Sequence, residues 1–366
     1  MKNVLPAVLA GLMSVTAVGY AQDDVRVYVN GMRIHENVIM SDDRTYIPLR
    51  AVSEALGAEV EWDEKSNSAY ISFTEEDAVA KVVADVSPSV VTIVGNYAST
   101  DAVHTYNNPT MHGSGVIYKS NGHIITNAHV VKDIKNLTVV LNDGTMLPGN
   151  VLYSDETADL AIVKIDKLGL KPITMANINT VAAGKTAIAI GTPVSLSMRN
   201  TVTRGIVCAA GVALENSHYK LIQTDATINM GNSGGPLLNS KGELIGINSS
   251  KYASVYIDNM AFAIPVDTVQ YVISQFETNG EVKRPKINIT MENSWEAKIG
   301  IPTSKGVTVK SSAEAELLAG DVIESVNDID IHSIADWNEA IKKTYNGSLK
   351  IVFSRSGERN EVNIQK

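Results

Sequence analysis

A chain of 366 residues exceeds what one hydrophobic core usually organises, so two or three domains are expected. With 44% hydrophobic and 19% charged residues it has the composition of a folded globular protein, which excludes long low-complexity stretches. A formal net charge of -9 and the lack of any Lys/Arg run exclude a nucleic-acid reader, because phosphate binding is driven by clustered cations; a protein or peptide partner fits better.

The chain opens with one Lys, an apolar run from Val4 to Val18, and small residues at Gly19 and Ala21. That order predicts a secretory signal peptide over residues 1–21 and an exported protein at the cell surface, in the periplasm or outside the cell; a retained anchor is the alternative. From Val25 to Phe73, short alternating segments surround an Asn30-Gly31 turn signal. A helix pattern at Leu49, Val52, Ala55 and Leu56 follows, ended by Gly57. The stretch from Arg44 to Ile71 resembles the small N-terminal domain of copper amine oxidases. The resemblance implies a compact α+β accessory domain over 22–75 without copper chemistry, since the segment offers only His35 and no ligand cluster.

Past an acidic junction at Thr74 to Asp77, a short helix period ends at Ser87-Pro88, and from Val90 onward the pattern is β. Apolar runs recur between turns: Gly115 to Tyr118, His123 to Thr126, Leu137 to Leu141, Met146 to Leu152, Leu160 to Ile165, Ala187 to Ile190, Gly205 to Ala209, Leu244 to Asn248 and Met260 to Ile264. Asp143-Gly144 is a hairpin signal. Many short strands with almost no helix predict a sandwich or closed barrels, ended by a helix from Val266 to Phe276. A domain over 76–279 is thus followed by a polar linker and a mixed α+β domain over 284–366, with one clear helix from Ile334 to Lys343. Cys208, the lone cysteine, is expected to be a small core residue on a buried strand and excludes an intrachain disulfide.

The sharpest motif is Gly231-Asn232-Ser233-Gly234-Gly235-Pro236-Leu237. A serine on a glycine-rich turn can expose its Oγ while the N–H groups of Gly231 and Ser233 converge on an oxyanion. Acyl transfer then needs a base within reach and a carboxylate to orient it. His129 closes one apolar strand and Asp159 opens another, where sites are commonly built. The order His129, Asp159, Ser233 is that of chymotrypsin-like enzymes; α/β-hydrolases run Ser, acid, His, and only His332 follows Ser233 here. His35, His104, His112, His123, His218 and His332 lack metal-ligand spacing and are expected on the surface or in packing roles, so neither a metal nor an organic cofactor is expected.

Residues 112–131, 159–165, 189–207 and 223–237 resemble the HtrA, or Deg-type, serine proteases over roughly Asp77 to Lys366. The resemblance implies a mainly β fold: a chymotrypsin-like double β-barrel protease domain carrying the triad, followed by a PDZ-like α+β domain. It also implies homotrimers, and envelope quality control with unfolded proteins and peptides as substrates. Holding misfolded chains without cutting them is the alternative. By the same resemblance Thr227, six residues before the nucleophile, is the floor of the substrate pocket. Ile228, Gly246 and Asn248 are its walls, which predicts small or medium aliphatic side chains at P1 rather than Arg or Lys. The PDZ peptide-binding loop falls at Ile287, Asn288 and Ile289, with Asn288 where the family carries glycine.

Overall fold

The computed structural model describes residues 25–29, 32–35, 38–72, 75–97, 110–215, 217–252 and 260–365. Residues 1–21, expected to be a signal peptide, the Asn30-Gly31 turn signal and His104 lie outside the described residues. The chain divides after residue 78 into two compact units. The first holds three antiparallel hairpins, β1 (Val27–Val29) with β2 (Met32–Ile34), β3 (Ile39–Ser41) with β4 (Arg44–Tyr46) and β5 (Glu59–Asp63) with β6 (Ser68–Ser72), and the helix α1 (Leu49–Ala55). It is thinly packed: Tyr28, Trp62 and Tyr70 are exposed.

After α2 (Glu75–Val86) come β7 (Val90–Tyr97), β8 (Thr110–Lys119), β9 (His123–Thr126), the short helix α3 (Ala128–Val131), β10 (Ile134–Val140), β11 (Met146–Asp155) and β12 (Leu160–Ile165). The six strands close into a barrel in the order β10-β11-β12-β9-β8-β7. A second barrel, β13-β14-β15-β18-β17-β16, is built from β13 (Thr186–Gly191), β14 (Thr201–Val212), β15 (Leu221–Thr224), β16 (Pro236–Leu238), β17 (Leu244–Ser249) and β18 (Ala261–Pro265). The mainly β, double-barrel expectation therefore holds. Each barrel has its own interior, Ile93, Ile117, Ile124 and Val163 in the first and Ala187, Ile222, Leu237 and Ala263 in the second. A third cluster joins them: Ile125, Leu160 and Ile162 meet Ile188, Ile190, Leu244 and Phe262, backed by Val269 and Val272 of α4 (Val266–Asn279). Full burial of one such side chain contributes about 1.5–3 kcal/mol, so the seam where the strand ends meet is fixed by apolar packing on both sides.

The C-terminal sheet runs β19-β20-β21-β23-β24, with β22 on β21: β19 (Ile289–Glu292), β20 (Val307–Ser312), β21 (Val322–Val326), β22 (Ile329–Asp330), β23 (Ser348–Arg355) and β24 (Glu358–Gln365). After β19 comes the short helix α5 (Trp295–Lys298), and before β23 the longer α6 (Ile334–Thr344), N-capped by the Ser333 side chain accepting from Asp336 N–H. α6 turns Trp337, Ala340 and Ile341 into this core and its polar side onto the second barrel. Lys342, with its side chain 4% exposed, reaches Asp267 at 2.8 Å and Thr268 Oγ1 at 2.8 Å, and Asn338 Nδ2 donates to the His218 carbonyl at 2.8 Å. Arg284 holds Asp155 through its two terminal guanidinium nitrogens, at 3.1 and 2.6 Å. The barrels and the C-terminal sheet accordingly form one unit.

One expectation is corrected. Cys208 is a half-buried free thiol, not a core residue, because β14 buries only Val207 and leaves Ile206 42% exposed. Among the described residues no helix is long and apolar enough to cross a membrane, and no His/Cys/Asp/Glu group could hold a metal ion.

Candidate active site

His129 bonds Asp159, and Ser249 and Ser250, neighbours in sequence at the end of β17, bond Asp159 and Ser233 respectively. Antiparallel pairing of β9 with β12 sets Thr126 opposite Ala161, so α3, which carries His129, starts beside the turn that carries Asp159. His129 Nδ1 lies 2.9 and 2.8 Å from the two Asp159 carboxylate oxygens, and its backbone N–H donates to Asp159 Oδ1 at 3.1 Å. A carboxylate can only accept, so Nδ1 carries the proton and Nε2 is left as the basic nitrogen. Asp159 is 1% exposed. A charge so buried needs several donors, and Ser249 Oγ supplies a further one to Oδ2 at 3.2 Å. The Asp159 backbone adopts φ +54°, a left-handed conformation that Asp tolerates better than most residues, and Asn127 Nδ2 holds its carbonyl at 3.0 Å.

Ser233 sits on a turn whose glycines are required by space. Gly231 has φ +98°, and a Cβ there would collide with the Thr192 carbonyl and lie 2.9 Å from His112 Nε2. Gly234 has φ +85°, and a Cβ would strike the Ser114 carbonyl and Thr126 Oγ1. Ser114 clamps the turn from the first barrel: its N–H donates to the Ser233 carbonyl and its Oγ to the Gly231 carbonyl, both at 2.8 Å. Asn248 clamps it from the second, exchanging backbone bonds with Gly234 and Gly235 at 2.9 Å. Among the described residues, the N–H groups of Gly231 and Ser233 have no acceptor within the protein.

The residues expected at the substrate pocket differ in burial. Thr227 is exposed, its carbonyl tied to Thr203 Oγ1 at 2.8 Å. Ile228 packs in the barrel interior at 5% exposure, and Gly246 is buried opposite Leu237 and Pro265. Asn248 sends its side-chain amide to the Pro236 carbonyl at 2.9 Å, bracing the turn. Asp225 Oδ1 is occupied by the Ile206 N–H at 2.6 Å.

In the C-terminal sheet, Ile287 and Ile289 pack partly against the core at the edge strand β19. Asn288 is not among the positive-φ residues. Its carbonyl accepts from Ala313 N–H at 2.9 Å and its N–H donates to Glu314 Oε1 at 3.2 Å, so both groups face the β20 side rather than the open edge. Sequence reasoning missed Asn127, Ser114, Ser249, Ser250 and His112. The last was expected on the surface or in a packing role, and its Nε2 is buried beside Gly231 with no partner among the described residues.

Known proteins similar to this chain are serine proteases. The trypsin-like peptidase domain model matches residues 113–247, and the copper amine oxidase N-terminal domain model matches 16–71 and 28–113. The putative serine protease HhoB of Synechocystis sp. is 34% identical over 272 residues, covering 68% of this chain and 64% of its own length, so this chain spans a little under two thirds of that relative. The Do-like serine protease HtrA of Lactococcus lactis subsp. lactis is 34% identical over 302 residues, covering 74% of this chain and 73% of its own. Among solved structures, the HtrA-type protease AlgW with a decapeptide matches with a TM-score of 0.66 at 27% identity, over 80% of this chain and 98% of that one. The serine endoprotease from Yersinia pestis matches with a TM-score of 0.60 at 31% identity, over 81% and 98%. Because the likeness to the Lactococcus protease runs through nearly three quarters of both sequences, beyond the barrels that many peptidases share, the chain belongs to the HtrA family of serine-type endopeptidases.

Proposed function

We propose that this protein cleaves unfolded or damaged polypeptides in the bacterial envelope through an acyl-enzyme, with Ser233 as nucleophile, His129 as general base and Asp159 as its orienter. The observation that carries the reading is the buried Asp159 bonded to His129 Nδ1, which leaves Nε2 as the base at a seam that also holds a glycine-turn serine. As Ser233 Oγ bonds to the scissile carbonyl carbon, its proton passes to His129 Nε2. The oxyanion is received by the Gly231 and Ser233 N–H groups. The imidazolium then returns the proton to the leaving amine, and water hydrolyses the ester.

Two features support an apolar polypeptide as substrate. Val194 and Met230 expose 68% and 76% of themselves beside the turn, joined by a backbone bond from Val194 N–H to the Met230 carbonyl at 2.9 Å. Thr227 offers no charge to a basic P1 side chain, and Asp225 gives its Oδ1 to the Ile206 N–H. Mass-spectrometric mapping of cuts in a denatured protein is expected to find Val, Ala, Ile or Leu at P1, and predominant cuts after Arg or Lys would overturn that assignment. Export after signal removal and homotrimeric assembly belong to the same reading. They are checked by N-terminal sequencing of the envelope-derived protein and by analytical ultracentrifugation.

The decisive experiment is Ser233→Ala with casein as substrate. A loss of roughly 10⁴-fold or more in turnover is expected. An undiminished rate in protein free of contaminating protease would exclude Ser233 as nucleophile. If the parent chain neither cut casein nor reacted with a fluorophosphonate, holding without cleavage would replace this reading.

A further inference from the structure

Ser233 Oγ makes no hydrogen bond to His129 among the described residues; its partners are both on Ser250. The two hydroxyl oxygens are 2.7 Å apart, and the Ser250 N–H donates to Ser233 Oγ at 3.0 Å. Ser250 opens the single 3₁₀ turn Ser250–Tyr252 that follows β17, immediately after Ser249, whose Oγ bonds Asp159. One strand end therefore holds the carboxylate with one serine and the nucleophile with the next. A hydroxyl has one proton and two lone pairs. One lone pair takes the Ser250 N–H, and with Ser233 Oγ as the donor in the 2.7 Å contact its proton is held by Ser250 Oγ and is not available to Nε2. Ser233 is 2% exposed, so solvent offers little in exchange for those bonds.

We propose that Ser250 is a positioning residue that holds the Ser233 hydroxyl in a resting orientation, so that acylation requires its release toward His129. The proposal rests on the assignment of Ser233 as nucleophile and His129 as base. Rotation of a serine side chain is itself fast, so the barrier Ser250 adds is the strength of its hydrogen bonds. Removing the hydroxyl abolishes the shorter bond and leaves the amide bond in place, which raises the population of the released orientation by about three- to tenfold.

The experiment compares full-length parent, Ser250→Ala, Ser250→Thr, Ser250→Val and Ser233→Ala. Second-order rates of fluorophosphonate labelling are measured, and kcat and KM on an unstructured peptide. Ser250→Ala is expected to label about three- to tenfold faster, with kcat raised and KM unchanged, and Ser250→Thr, which keeps the hydroxyl, is expected to stay close to the parent. Should Ser250→Ala melt at a lower temperature than the parent, Ser250→Val against Ser250→Thr repeats the comparison between side chains of equal shape. Equal or slower labelling without the hydroxyl would overturn the proposal while silent Ser233→Ala left the triad standing. Labelling of Ser233→Ala would instead remove the triad assignment itself.

Discussion

At the barrel seam the Gly231 and Ser233 amides have no acceptor among the described residues, whereas at the β19 edge of the C-terminal sheet the Asn288 amide is already taken, and the two places are built in opposite ways. At the seam the turn around Ser233 is gripped from one barrel by Ser114 and from the other by Asn248, and the glycines at 231 and 234 are there because no side chain fits. At the β19 edge, the residue where the family has glycine is Asn288, at ordinary φ, with its N–H directed to Glu314 on a partly exposed surface. Buried polar networks fixed from several sides hold a geometry against substitution, whereas a loop held by one exposed contact is set by whichever side chain is nearest.

The change that tests the seam most severely is Asp159→Asn. Asn also tolerates the φ of +54° and fills the same space, so the fold should survive, but it carries no charge and its NH2, placed where one carboxylate oxygen was, would donate to His129 Nδ1 and favour the wrong tautomer. Turnover is expected to fall by roughly 10⁴-fold with little change in melting temperature. A loss below tenfold would show that the buried network does not direct the chemistry.

Between the two regions lies the contact of α6 with the second barrel. Lys342→Ala leaves Asp267 and Glu339 facing each other without the cation that sits 2.8 and 2.7 Å from them. Breaking such a pair costs about 3 kcal/mol, read as a melting temperature lower by roughly 6–12 °C and as faster proteolysis of the linker after α4. An unchanged melt would mean that the C-terminal sheet is held by apolar packing alone.

The same contact should respond to pH. Burial, with the Arg284 charge adding to it, pushes His218 down to about 4, while Asp155 opposes the shift. The unfolded chain therefore takes up this proton first, and stability present above pH 6.5 is lost as the pH falls toward about 4. Melting curves across that window are expected to fall less steeply in His218→Gln, and parallel curves would exclude the group as a contributor.

The smallest effect is expected at the β19 edge. Asn288→Gly frees the backbone to turn its N–H toward the open side, and binding of peptides with a hydrophobic C-terminus to the full chain should tighten about three- to tenfold. Tight binding by the parent chain would erase the contrast between the two regions.

Sequence patterns revealed most where burial is two-sided. β9 and β12 were readable to the residue, because His123–Thr126 and Leu160–Ile165 are short apolar runs closed by polar ends. β24 escaped because its eight residues, ERNEVNIQ, bury only Ile364, and a charged edge strand reads as loop. β16 was hidden inside the glycine-rich motif that precedes it. The three side chains proposed for the triad are named by their motifs and order. Asn127, Ser249 and Ser250 are not, since a lone Ser or Asn has no periodicity and its partner lies 17 to 90 residues away along the chain.

The left-handed backbone at Asp159 gives this active site an uneven mutational landscape. Chemistry asks for a carboxylate there and the backbone asks for Asp, Asn or Gly, so the two demands overlap at one residue alone. Asp159→Glu keeps the charge but strains the turn, and Asp159→Val loses both. Asp159→Asn is the change that spares the fold while silencing the base. Of the substitutions at this position, Asn alone keeps both the backbone conformation and the side-chain volume, so loss of cleavage with the fold intact is expected from it first.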